Sequence, residues 1–182
     1  MEIAKLFENE YFNIKPYMYN TEKAVCYTLD QLGLKLGVDF KFFEEIDNIP
    51  FTKSKKHNVD LMLTSRKDAS KLYVEIKGMM TYLEVNKLEF LLKESGKDFY
   101  ILQLTELDWI TPYRGKTARA ASIKSRSDFE IQVKELVDFV NGSLSGEELS
   151  YRSKQRLENF IDYRSKDIKR WKKEIDAENA NR

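Results

Sequence analysis

The sequence predicts an α/β fold: a central mixed sheet of four to five strands flanked by helices, with a helical C-terminal extension. Three observations carry the prediction. Two apolar runs, Val59–Thr64 and Lys71–Gly78, are joined by the polar segment Ser65–Ser70, the pattern of a hairpin. A third run, Asp98–Leu104, follows a segment of helical periodicity and is apolar enough for a strand buried on both faces. At 42% hydrophobic and 34% charged over 182 residues, the chain can bury a real core.

Taken in order, Asn20-Thr21 is a cap signal for a helix running to about Leu36, with Gly37 as its stop. Ala24, Val25, Thr28, Leu29 and Leu32 give it an apolar face at helical spacing. Glu22 falls in its first turn, where a carboxylate is favoured by the helix dipole. Val38–Ile46 reads as a strand with Phe40 and Phe42 on one face, broken by Asp47-Asn48-Ile49-Pro50. Phe51–Asn58 reads as a polar loop carrying Lys53, Lys55 and Lys56. After the hairpin, Val85, Leu88, Leu91 and Leu92 mark a helix over Leu83–Ser95, with Gly96 at its end. The order helix, strand, strand, strand, helix, strand implies an antiparallel stretch followed by a right-handed crossover.

Past Trp109 the character changes. Tyr113–Arg126 carries Arg114, Lys116, Arg119, Lys124 and Arg126 and no acidic residue. Ser127-x-x-Glu130 is a capping box opening a helix with Phe129, Val133, Leu136, Val137 and Val140 on one face; Asn141-Gly142 ends it. Ser145-x-x-Glu148 opens another helix, expected to reach about Glu178, with the narrow stripe Leu157, Phe160, Ile161, Ile168, Trp171 and Ile175. Such a helix docks along the body or pairs with a second copy, so a homodimer through the C-terminal helices is one expectation. Residues 1–110 are read as the core, and 111–182 as a basic linker with C-terminal helices.

Composition also excludes. No apolar run approaches the roughly 18 residues of a membrane span, and the stretch Met1–Glu8 carries acidic residues where a signal peptide would have an apolar region. A single cysteine, Cys26, makes no intrachain disulfide, so a reducing, cytoplasmic setting without a membrane is expected. The lone histidine, His57, excludes His-rich metal sites and leaves little room for a Ser-His-Asp mechanism. A net charge of +1 does not announce a nucleic-acid binder.

The hairpin contains an anomaly. Asp60, Glu75 and Lys77 interrupt otherwise apolar strands. Glu75 and Lys77 are two apart and share a strand face with Tyr73. If the turn closes symmetrically, Asp60 falls opposite Glu75. Charges on such strands are costly unless paired, hydrated or bound to a metal. The acidic-x-Lys triplet itself occurs three times, as Asp39-Phe40-Lys41, Glu75-Ile76-Lys77 and Asp167-Ile168-Lys169. Only the second lies in a strongly apolar strand with an acidic partner on the strand before it. Two carboxylates on neighbouring strands form a hard oxygen site suited to Mg²⁺, with the Ile76 backbone carbonyl as a further ligand. Such an ion would polarise a scissile phosphate and activate water, and Lys77 would orient that water or offset developing charge.

This arrangement resembles the core of the PD-(D/E)xK, restriction-endonuclease-like nucleases. Their pattern is a helix with a glutamate, a strand with an aspartate, a strand with Glu-x-Lys, then a helix and a strand. Here Glu22, Asp60, Glu75-Ile76-Lys77, the Leu83–Ser95 helix and the Phe99–Leu104 strand follow in that order, covering about residues 20–105. The proline that often precedes the aspartate is Val59. The resemblance implies Asp60 and Glu75 as metal ligands, Lys77 as the catalytic lysine and Glu22 as the glutamate supporting the metal site. Lys87, on the following helix, is a candidate DNA contact by position. The implied activity is Mg²⁺-dependent endonucleolytic cleavage of DNA, with Mn²⁺ able to substitute. Lys53, Lys55, Lys56, Arg114, Lys116 and Arg119 would grip backbone phosphates. The alternatives are RNA cleavage, or a non-catalytic binding module on the same scaffold. No resemblance selects a restriction, resolvase, phage or mobile-element role.

Overall fold

The computed structural model describes residues 20–50, 55–77, 80–103, 110–111, 126–163 and 165–180. Lys53, Arg114, Lys116, Arg119 and Lys124 lie outside the described residues.

The described elements are α1 (Asn20–Gln31), β1 (Phe40–Phe42), β2 (Glu45–Asp47), β3 (Lys56–Asn58), β4 (Leu61–Thr64), β5 (Lys71–Lys77), β6 (Met80–Thr81), α2 (Tyr82–Lys93), β7 (Phe99–Gln103), β8 (Ile110–Thr111), α3 (Arg126–Val140), α4 (Gly146–Tyr163) and α5 (Ser165–Ala180). Four strands form a mixed sheet in the order β1-β4-β5-β7, antiparallel except for the parallel pair β5/β7. Two-stranded ribbons, β2/β3 and β6/β8, stand beside it.

Strand alternation gives this sheet two buried faces. Phe40, Leu61, Leu63, Leu72, Val74, Ile76, Tyr100 and Leu102 pack against Val25, Cys26 and Leu29 of α1 and Val133, Leu136, Phe139 and Val140 of α3. Met62, Tyr73, Phe99 and Ile101 face the other way, against Val85, Leu88 and Leu91 of α2 and Leu157 of α4. The result is three layers, helix–sheet–helix, as a strand buried on both faces requires. All five residues of β7 are buried.

β7 is the outer strand, and its outward N–H groups are satisfied by side chains. Phe99 N–H donates to Ser150 Oγ (3.3 Å), Ile101 N–H to Ser153 Oγ (3.0 Å) and Gln103 N–H to Gln132 Oε1 (2.9 Å), while Gln132 Nε2 returns a bond to the Gln103 carbonyl (2.9 Å). Helices α3 and α4 thereby close a sheet edge that would otherwise be open to pairing. Ser145 caps α4, with Glu148 N–H donating to Ser145 Oγ at 3.1 Å.

Three expectations are corrected. Helix α1 ends at Gln31 rather than Leu36, because Gly33 (φ 85°) is the first glycine able to take the left-handed stop, before Gly37 (φ 83°). Leu32 is consequently exposed. The strand expected over Val38–Ile46 is two strands, parted by Phe43 at φ 52°, a left-handed conformation that interrupts pairing. Lys56–Asn58, assigned to a loop, pairs with β2 as a strand. Helices α4 and α5 both contact α2, and α4 carries Leu157 into the core.

Candidate active site

The β4–β5 register runs Leu61↔Val74, Met62↔Tyr73, Leu63↔Leu72 and Thr64↔Lys71. Continued by one residue it sets Asp60 opposite Glu75, as the symmetric turn predicts. Asp60 completes the ladder with its side chain: the Ile76 N–H donates to Asp60 Oδ2 at 2.7 Å. The Ile76 side chain belongs to the opposite apolar face.

Glu75 is the centre of the cluster, with its side chain only 1% exposed. Lys77 Nζ lies 2.8 Å from Glu75 Oε2 and 3.9 Å from Asp60 Oδ2. Lys87, projecting from α2, reaches Glu75 Oε2 at 3.3 Å. His57 on β3 places Nε2 2.6 Å from Glu75 Oε1. Two carboxylates and two ammoniums therefore meet at one place on the sheet, beneath α2.

Their surroundings push the two acids apart. Burial raises Asp60 above the ordinary aspartate range and the Glu75 charge raises it further; Lys77, the Ile76 bond and Lys87 only partly offset this. Burial opposes ionisation of Glu75 too, but the His57 hydrogen bond and the charges of Lys77 and Lys87 outweigh it and hold the carboxyl well below its usual range. Lys77 is penalised by burial, yet Glu75 and Asp60 hold its ammonium above the ordinary lysine value. Paired groups driven in opposite directions are a mark of sites that do chemistry.

Glu22 is buried in the first turn of α1, one turn before Cys26. The Cys26 thiol is pushed well up, first by burial and then by the charges of Glu22 and Asp60. Glu22 and Asp60 thus both bear electrostatically on the same thiol.

The donor set suits a hard divalent cation in kind. A carboxylate offers about four lone-pair positions. Three donors occupy those of Glu75, and the contacts to Asp60 use Oδ2, leaving Oδ1 and one position on Glu75. Mg²⁺ is commonly held by one or two carboxylates together with water and substrate phosphate oxygens. Among the described residues, no group of three or more His, Cys, Asp or Glu side chains gathers as a self-sufficient metal cluster.

The expected basic contacts divide. Lys87 joins the cluster. Lys55 is exposed, and Lys56 is exposed and paired with Glu45 at 2.5 Å. Of the other acidic-x-Lys triplets, Asp167 falls on α5, and Asp39 is buried against Arg66, with Nε 2.8 Å from Oδ1 and Nη2 2.7 Å from Oδ2. His57 is the residue that sequence reasoning missed. Its one legible signal was its position, three residues ahead of Asp60 on the same segment.

No protein-family model, curated protein or solved structure matches the chain. Among the described residues, no helix is long and apolar enough to cross a membrane.

Proposed function

We propose that this chain is a divalent-metal-dependent endonuclease of the PD-(D/E)xK type, built on a restriction-endonuclease-like core and acting on DNA. The observation that carries the reading is the meeting of Asp60 and Glu75 across antiparallel strands with the Lys77 ammonium in contact with both. The family resemblance of residues 20–105 and the reach of Lys87 to Glu75 add to it.

Asp60, through Oδ1, and Glu75 would hold Mg²⁺, with Mn²⁺ as a substitute. When bound, such an ion supplies Lewis-acid polarisation of a phosphate and lowers the pKa of water. The chain's own residues do the rest. Lys77 and Lys87 both meet Glu75 at Oε2. A phosphate entering beside the carboxylates offers these ammoniums a new anionic partner. Lys77 then orients water at the scissile group and offsets the charge that grows on the phosphate. Lys87 holds a non-bridging oxygen. Burial beneath α2 strengthens each of these interactions relative to water.

The test is a substrate panel of supercoiled, linear, single-stranded and branched DNA, with matched RNA, assayed with Mg²⁺ and with EDTA. Cleavage of one or more DNA forms, abolished by EDTA and by Asp60→Ala or Glu75→Ala, is expected. Metal-independent DNA binding without any cleavage would leave a non-catalytic binding module instead, and preference for the RNA would reassign the substrate.

A further inference from the structure

We infer that His57 is a positioning residue for Glu75, fixing the carboxylate plane that faces the cation; the inference rests on the nuclease reading above. His57 sits at the middle of β3, between the exposed Lys56 and Asn58, and is the one β3 side chain turned inward. Its imidazole is 14% exposed and meets the most buried carboxylate of the cluster. Because an ionised carboxylate only accepts, Nε2 must carry the proton and donate to Oε1.

The division of labour on Glu75 gives this bond its use. Oε1 is held by His57 from β3, while Oε2 is held by Lys77 from β5 and Lys87 from α2. The terminal torsion of a glutamate is broad and roughly two-fold, so two lysines on one oxygen do not fix it. A donor on the other oxygen does. It keeps Oε1 turned to one side and presents the remaining lone pair in one direction. It also sets the distance between the β2/β3 ribbon and the sheet, since His57 leads through Asn58 and Val59 directly to Asp60. One short segment thus supplies one metal-binding carboxylate and orients the other. Hydrogen-bonded partners of ligating carboxylates commonly carry a factor of about 10–100 in metal affinity.

The experiment measures Mn²⁺ binding to the full chain by electron paramagnetic resonance, alongside the Mn²⁺ dependence of cleavage. Wild type, His57→Ala, His57→Gln and Asp60→Ala are compared. His57→Ala is expected to weaken Mn²⁺ binding by about 10–100-fold and to raise the metal concentration for half-maximal cleavage by the same factor. Turnover at saturating metal stays close to wild type, a split that simple loss of structure does not produce. His57→Gln, whose amide nitrogen reaches the place of Nε2, restores most of the affinity. Unchanged affinity in His57→Ala, or no recovery in His57→Gln, overturns the inference and leaves the nuclease reading standing. If wild type binds Mn²⁺ no better than Asp60→Ala, the nuclease reading fails and this inference falls with it.

Discussion

Two aspartates in this molecule, one buried and one partly buried, are both met by cations, yet they are built to opposite ends. Asp39 is gripped by Arg66 through two near-parallel bonds, receives the Lys35 N–H at 2.8 Å, and lies low in pKa chiefly because of the Arg66 hydrogen bond. Arg66 also reaches Asn141 Oδ1 and the Gly33 carbonyl, each at 3.2 Å, so it ties the β4–β5 turn to the ends of α1 and α3. Every bond there serves the fold. Asp60 has one close bond, to the Ile76 N–H, a carboxylate neighbour and a lysine at 3.9 Å, and its pKa is raised. A saturated carboxylate is a rivet. A carboxylate left strained beside a second one is available for a ligand. Both belong to acidic-x-Lys patterns or their partners, so the letters alone do not separate them; the surroundings do.

The contrast can be tested on stability. Arg66→Ala strips Asp39 of its two charge-assisted bonds and should cost about 1–2 kcal/mol by urea unfolding. That is less than the 3–5 kcal/mol or so typical of breaking a fully buried pair, because the Arg66 side chain is 47% exposed and partly screened. Cleavage should be untouched. A loss of activity with intact fold would mean that the Asp39 region belongs to the site after all.

Smaller and opposite in sign are the two Asp→Asn changes. Asp39 has a depressed folded pKa, so its contribution is present above the ordinary aspartate value of 3.8 and is lost as pH falls through the folded value. Asp39→Asn should therefore destabilise at neutral pH by roughly 1 kcal/mol. Asp60 has a raised folded pKa, so its ionisation is a penalty at neutral pH that is relieved as pH falls through that value towards 3.8. Asp60→Asn should stabilise the metal-free protein by roughly 0.5–2 kcal/mol, with the advantage shrinking as the pH approaches the ordinary aspartate range. Unfolding curves at several pH values, taken in EDTA, check both. The same sign for the two variants would erase the distinction.

How much of this was legible in the sequence follows the same divide between strong and weak local signals. The hairpin register was readable because long apolar strands and a polar turn leave one pairing that buries both faces. That register put Asp60 opposite Glu75 and Lys77 on the same face. The four-stranded mixed sheet and its two helical layers followed from the same periodicities. His57 was not readable. Its strand is three residues long, carries no alternation, and is held by a ribbon whose partner is equally short. The end of α1 was misread because Gly33 and Gly37 both satisfy the stop rule, and the helix stops at the first. Phe43 took a left-handed conformation that its side chain does not advertise. Lys87 was a candidate by position, and only folding of α2 across the sheet gave it a partner.

The most direct test of the central claim sets two lysines of identical local pattern against each other. Lys77 follows Glu75 and touches both site carboxylates, whereas Lys41 follows Asp39 and is exposed on β1. Lys77→Met and Lys41→Met are assayed together for Mg²⁺-dependent cleavage of the DNA form that wild type cuts. A loss on the order of 10²–10³-fold is expected for Lys77→Met, and wild-type rates for Lys41→Met. Wild-type cleavage by a folded Lys77→Met protein would contradict the central claim.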